Sequence, residues 1–390
     1  MSEPVIITGV AIMSGLGITP AAQQRAMDAG RTGLRPLAAF PGVGPEFASL
    51  PAGWILPRST FAGNRYGPAS QLAIALARDA IADAGWEAPA LRDCWLFVGT
   101  SRGNTAGSLA PWPGRRAHRR MATSNSMHSE MAAAVSITFG IRGPFQVISN
   151  GCASGLDAIG FGYWAVAAGM APRVLVVSAD LPLISPLLRS YQQTGLLSRN
   201  GVNDPYAPTT SGFLPGEGGA ALCIEPAAPD RPGYARLCGY WANSDAYHPL
   251  GLPADGAGIA DCLRQALAPL GRRRINAICP HASGTAAHGQ AEQRALQTIF
   301  ADAPPASVSL HLMKPFTGHA IGASGALDTA ILAYYLRRHL LPPNLPGLAG
   351  AGGPFTMPTA PLPCRPGIVL KISVGMGGHN AVIALAPVED

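Results

Sequence analysis

Short runs of β-branched and apolar residues recur along the chain at residues 5–8, 95–99, 145–149 and 174–178. They are too short for helices and are bounded by turn residues, so they read as strands. Residues 69–84 between them are alanine-rich with an apolar face and read as a helix. A second series follows, with strand-like runs at 275–279, 307–312, 368–373 and 381–385 and helical stretches at 258–270 and 322–338. The alternation predicts α/β layers, and the order of elements in the second half resembles that of the first.

The echo extends to local sequence. Cys152-Ala-Ser-Gly-Leu-Asp-Ala-Ile in the first half faces Gly322-Ala-Ser-Gly-Ala-Leu-Asp-Thr-Ala-Ile in the second. Together the two similarities predict a pseudo-duplicated sheet-and-helix unit. Each copy sends a helix of small residues into a crowded centre, where small side chains permit close approach. The stretch 226–232, PAAPDRP, is the most linker-like segment, which divides the chain into halves at 1–225 and 233–390.

Composition narrows the class. With 390 residues, 48% hydrophobic and 13% charged, the chain can bury a large core. Its 47 glycines and 37 prolines are scattered between apolar segments, which argues for turns and against disorder. The start, Met1-Ser2-Glu3-Pro4, lacks the basic flank of a secretory signal, and Arg173 interrupts the best candidate for a membrane span, 164–183. A cytoplasmic protein with no membrane span is therefore expected. Seven cysteines with no CxxC pair argue against a disulfide framework and against a zinc site, so no metal is expected.

The net charge of +6 includes two clusters, Arg115, Arg116, Arg119 and Arg120, and then Arg272, Arg273 and Arg274. These either steer an acidic partner or form a solvated face. No zinc-finger spacing or RNA-binding signature accompanies them, so nucleic acid is not expected.

Cys152 falls where an apolar run gives way to a helix of small residues. At such a junction the helix dipole favours thiolate, which makes Cys152 a candidate nucleophile, although a free cysteine is often just a buried hydrophobe. His281 follows the apolar run 275–280, and His319 sits in Lys314-Pro-Phe-Thr-Gly-His. Each has a packing reading as well as a catalytic one.

Five segments in order, Gly151-Cys152-Ala-Ser-Gly, Gly212-Phe-Leu-Pro-Gly-Glu-Gly-Gly-Ala, His281-Ala-Ser-Gly-Thr, Lys314-Pro-Phe-Thr-Gly-His-Ala-Ile-Gly-Ala-Ser-Gly-Ala and Gly375-Met-Gly-Gly-His-Asn, carry a resemblance. The chain resembles the β-ketoacyl synthases, closest to the synthase II type dependent on acyl carrier protein (ACP) and to its type II polyketide relatives. The resemblance covers essentially the whole chain. It implies a thiolase-like fold, two related halves in a five-layered α/β/α/β/α body, as a homodimer or as a heterodimer with a ketosynthase-like subunit.

The resemblance also implies an acyltransferase. Cys152 would carry the acyl chain, and His281 and His319 would bracket the malonyl thioester carbonyl. Backbone N–H groups of Cys152 and Met376 would form the oxyanion hole. Lys314 would orient the histidine loop with Asp328, where the family usually has glutamate, unless the pair is only a structural salt bridge. Ser283 and Thr285 would contact the pantetheine arm, beside Val374 and Met376. No cofactor would be held permanently, since the phosphopantetheine arm belongs to the ACP, which delivers acyl and malonyl groups.

Departures from the family pattern matter. His281-Ala-Ser-Gly-Thr replaces His-Gly-Thr-Ser-Thr, and Val374-Gly-Met-Gly-Gly-His-Asn replaces a loop with two aromatic side chains. These changes point to a specialised polyketide or polyene pathway. The alternatives are a silent chain-length subunit, which usually lacks the cysteine, a thiolase, which needs a second cysteine where Met376 stands, and a cysteine hydrolase, which leaves the five motifs unexplained.

Overall fold

The computed structural model describes residues 4–63, 65–105, 124, 127–228, 231–271 and 273–388. The cluster Arg115, Arg116, Arg119 and Arg120 and also Arg272 lie outside the described residues.

Ten strands carry the body. In the first half they are β1 (Val5–Met13), β2 (Trp95–Gly99), β3 (Phe145–Ile148), β4 (Val174–Asp180) and β5 (Gly218–Pro226). The second half has β6 (Ala235–Ser244), β7 (Ile275–Cys279), β8 (Val308–Leu310), β9 (Ile368–Gly375) and β10 (His379–Ala386). In space the first five run β3-β2-β4-β5-β1 and the second five β8-β7-β9-β10-β6, the same order in each half. Directions match too: the first three strands of each series are mutually parallel, and the fourth runs antiparallel to both its neighbours. The two sheets are joined at one end, where Val5, Ile6 and Ile7 of β1 pair with Leu237, Arg236 and Ala235 of β6.

Three apolar clusters give the layering. One lies between the sheets and holds α2 (Ser154–Ala167) and α5 (Ser324–Leu336). The second packs α1 (Pro68–Asp83) on the outer face of the first sheet. The third packs α3 (Ala257–Leu267) and α4 (Ala286–Ile299) on the outer face of the second. Helix, sheet, helix pair, sheet, helix is the expected five-layered thiolase-like arrangement.

The central helices explain the repeated Ala-Ser-Gly. Every α5 residue except Tyr334 is buried, so this helix has no polar face to give to water. A Cβ on Gly155 of α2 would stand 2.9 Å from Ala326 N, and one on Gly325 of α5 would stand 2.7 Å from Leu156 N. The helices therefore cross backbone to backbone at these glycines, a contact that any side chain would hold apart. Boundaries differ from expectation where proline intervenes. The helix expected over 258–270 ends at Leu267 and tightens into a 3-10 turn at Ala268–Leu270, because Pro269 has no N–H to continue it.

Candidate active site

Each half contributes to one buried cluster. Cys152 lies in a 3-10 turn, Gly151–Ala153, between β3 and α2. Gly151 takes φ +59, and a Cβ there would sit 3.2 Å from Met376 N, so the turn both needs and accommodates glycine. From the second half come His281, just beyond β7, and His319, just before the turn that opens α5. One ligand atom from each of Cys152, His281 and His319 lies within 4.8 Å of the others, and all three residues are buried. The donor set is of a type that zinc accepts, and it equally supplies a nucleophile facing two hydrogen-bond donors.

Burial sets the protonation states. It pushes the Cys152 thiol up to about 11, against the lowering effect of the Lys314 charge, while Asp180 adds to the rise and Arg102 and the Met376 N–H oppose it. Burial thus favours the neutral thiol, in the direction opposite to the helix dipole. Burial also holds both imidazoles well below their ordinary range, helped by the charges of Lys314 and His288. Both rings are neutral at pH 7, and His319 Nδ1 lies 2.9 Å from Ser324 Oγ.

A pH dependence follows from the raised thiol. Because the thiolate is the reactive form, alkylation of Cys152 by iodoacetamide should rise about tenfold per pH unit from about pH 7 to about pH 10. Mass spectrometry of the Cys152 peptide reads this rate. A plateau already reached near neutral pH would restore the activated thiolate.

Behind the histidines lies a charged layer. Lys314 Nζ donates to the His281 carbonyl and lies 3.4 Å from Asp328 Oδ2. Asp328 has a closer partner that sequence reasoning missed: Lys371 Nζ, 2.7 Å away, which also donates to the Pro280 carbonyl at 3.2 Å. Burial works against the Lys371 charge, but Asp328 reverses the balance and holds its ammonium above the usual range. For Lys314 burial wins, and its pKa is lowered. The signal was a lysine inside the apolar run Ile-Val-Leu-Lys-Ile, where a strand buried on both faces has no place for an unpaired charge.

Glu292 was missed as well. From α4 it accepts from His281 N at 2.6 Å and Ala282 N at 2.9 Å, fixing the backbone on which the first histidine sits. Burial pushes its carboxyl up, but His288 and these N–H donors outweigh that and hold it below the usual range. Asp157 on α2 is the third addition. It accepts from Asn150 Nδ2 and from Tyr240, each at 2.8 Å, and lies 2.8 Å from His379 Nε2, tying the cysteine turn to the glycine loop.

The remaining candidates divide. The Met376 N–H reaches the Cys152 thiol. Ser283 Oγ and Thr285 Oγ1 lie 3.2 Å apart on the loop after His281, with Ser283 buried and Thr285 half-buried. Val374 is buried in the outer cluster of the second sheet, one residue before Gly375, where a Cβ would lie 3.6 Å from Cys152 N. Arg273 and Arg274 are exposed at the far end of β7 from His281, which at ~3.3 Å per residue is roughly 20 Å away.

A doubled α/β fold with a cysteine from one half meeting two histidines from the other is that of a thiolase-like condensing enzyme. Residues 59–229 match "Beta-ketoacyl synthase, N-terminal domain", and residues 234–347 match "Beta-ketoacyl synthase, C-terminal domain". The chain is 27% identical to the tetracenomycin polyketide synthase ketoacyl synthase alpha subunit of Streptomyces glaucescens, over 98% of this chain and 96% of that one. It is 26% identical to 3-oxoacyl-[acyl-carrier-protein] synthase 2 of Coxiella burnetii, over 99% of each. Among solved structures, a type II polyketide ketosynthase in complex with its acyl-carrier protein superposes with a TM-score of 0.85 at 23% identity over 100% of both chains. The ishigamide ketosynthase/chain length factor superposes at 0.84, also at 23% identity and 100% of both. The chain belongs to the β-ketoacyl synthase family and is an acyltransferase. Among the described residues no helix is long and apolar enough to cross a membrane.

Proposed function

We propose that Cys152, His281 and His319 carry out decarboxylative condensation of malonyl-ACP with an acyl chain held on Cys152, in a polyketide or fatty-acid-like pathway. The supporting observation is the convergence of one thiol and two neutral imidazoles within 4.8 Å. In the first half-reaction Cys152 Sγ attacks the acyl-ACP thioester carbonyl. A new C–S bond forms, the pantetheine sulfur leaves, and the thiol proton ends on that sulfur. The N–H groups of Cys152 and Met376 stabilise the tetrahedral oxyanion.

In the second half-reaction malonyl-ACP loses carbon dioxide, and the electron pair left behind becomes an enolate. His281 and His319 donate N–H to its oxygen. Ser324 Oγ engages Nδ1 of His319, which leaves Nε2 to face that oxygen. The enolate carbon attacks the Cys152 thioester, a C–C bond forms, and Cys152 leaves as thiolate and regains a proton from water. Lys314, Asp328 and Lys371 hold the histidine loop without touching substrate.

Ser283 and Thr285 suit a pantetheine arm passing the mouth of the site, which no permanent cofactor need fill. Val374 we assign to packing beneath that mouth. The halves 1–225 and 233–390 each supply one side of the cleft. We place the enzyme in the cytoplasm with an acidic ACP as its partner. The sheet ends at β3, and Phe145, Trp164 and Met170 are exposed near that edge, which suits a second thiolase-like subunit, identical or ketosynthase-like. A silent chain-length subunit has no use for the assembled Cys-His-His cluster.

Malonyl decarboxylation tests the histidine roles. His281→Ala and His319→Ala should each slow carbon dioxide release from malonyl-ACP by about 100-fold or more, the usual cost of losing one donor to a developing oxyanion. Full decarboxylation in either variant would remove that histidine from the mechanism.

A further inference from the structure

Cys152 belongs to an apolar cluster that also includes Leu183, Leu187, Tyr191, Phe213 and Ile321, with Phe213 packed edge-on against His319. Two polar groups break its character. Tyr191 is 3% exposed, and its hydroxyl oxygen faces the Arg102 guanidinium while its O–H meets no acceptor among the described residues. Arg102 Nε is buried and unpartnered. The two belong together, since the Arg102 guanidinium carbon lies 5.9 Å from the centre of the Tyr191 ring.

Both lie near the nucleophile, since Tyr191 shares the apolar cluster of Cys152. Arg102 is among the charges that act on Cys152, and Arg102, Cys152 and Asp180 are those that act on the Tyr191 hydroxyl. Asp180 is the obvious candidate to neutralise Arg102, but its oxygens are engaged elsewhere. It accepts from Thr100 Oγ1 at 2.8 Å, from Ser101 N at 2.9 Å and from Arg102's own backbone N–H at 3.0 Å. No described carboxylate forms an ion pair with the Arg102 guanidinium.

An unbranched alkyl chain on Cys152 would cover two donors without giving either an acceptor, which is unfavourable for a buried donor. An acyl group with an oxygen a few carbons from the thioester satisfies them. A guanidinium suits a carboxylate best and a phenol accommodates a ketone, so the pair is chemically matched to oxygenated chains.

We propose that Arg102 and Tyr191 form a polar subsite in the acyl pocket, selecting chains that carry a keto or carboxylate oxygen over plain alkyl chains. The inference rests on the reading of Cys152 as the acyl carrier. It concerns the transfer in which the acyl carbon moves from pantetheine sulfur to Cys152 Sγ and the thiol proton moves to the departing sulfur.

The test loads the purified enzyme with pentanoyl-, 3-oxopentanoyl- or glutaryl-ACP, three chains of equal carbon count, and follows the adduct by intact-protein mass. At least one oxygenated chain should load about 10-fold faster than pentanoyl, as expected for gaining a hydrogen bond to a buried donor. Preference for glutaryl identifies a carboxylate substrate, and preference for 3-oxopentanoyl a β-keto one. Arg102→Leu should bring the rates together, and Tyr191→Phe, which keeps the ring and its packing, should narrow the preference by about 3-fold or more. Pentanoyl loading as fast as the oxygenated chains in the unaltered enzyme overturns the inference, as does a preference that survives both substitutions. No adduct from any of the three, with Cys152 still open to iodoacetamide, overturns the acyl-carrier reading itself and the inference with it.

Discussion

Cys152→Ala should take up no acyl group from acyl-ACP and form no condensation product, while remaining folded. The thiol is the atom to which the chain is bonded, so its removal eliminates the intermediate and does not merely slow a step. The fold should tolerate the change, because one sulfur leaves a small cavity beside side chains able to relax toward it. Thermal unfolding and intact-protein mass, measured on the same sample, separate these effects. Cys152→Gln adds a finer readout, since its amide carbonyl resembles the thioester of the loaded enzyme: acyl transfer should be lost while malonyl decarboxylation persists. Acyl transfer by Cys152→Ala at the unaltered rate would move the nucleophile elsewhere.

Asp328→Asn should be the most destabilising single change in the charged layer. Asp328 is 1% exposed and is the carboxylate shared by Lys314 and Lys371, at 3.4 and 2.7 Å. Asparagine keeps the shape but leaves two buried ammonium groups without a counter-charge, and breaking a buried pair by removing one partner costs about 3–5 kcal/mol. Denaturant unfolding should show that loss. A change below about 1 kcal/mol, in the range of an exposed pair, would mean that water or another group already screens the lysines.

The contrast between these residues shows what the sequence made legible. Cys152, His281, His319 and Lys314 sit in segments whose order carries the family resemblance, and the structure brings the three reactive side chains together. The doubled fold was legible from the spacing of apolar runs and from the Ala-Ser-Gly echo, whose glycines prove to mark the crossing of the central helices. Lys371 was hidden because a strand pattern reports only that a position is buried. Its partner lies 43 positions away in sequence, on a helix that reaches it only through the sheet packing.

Glu292 and Asp157 were hidden for the same reason, since a helical carboxylate reads as a solvated charge until its neighbours are known. The thiol state was misjudged on different grounds. A helix start can be read from sequence, but the depth of burial that raises the thiol cannot.

Acyl-loaded enzyme mixed with malonyl-ACP carrying carbon-13 throughout its malonyl group tests the central claim most directly. In a single turnover the mass on Cys152 should disappear as one labelled carbon is released as carbon dioxide. A β-ketoacyl-ACP containing the original chain and two labelled carbons should appear at the same rate. Release of labelled carbon dioxide while the original chain stays on Cys152, or leaves as a free acid without gaining carbons, would contradict the assignment of this site to condensation.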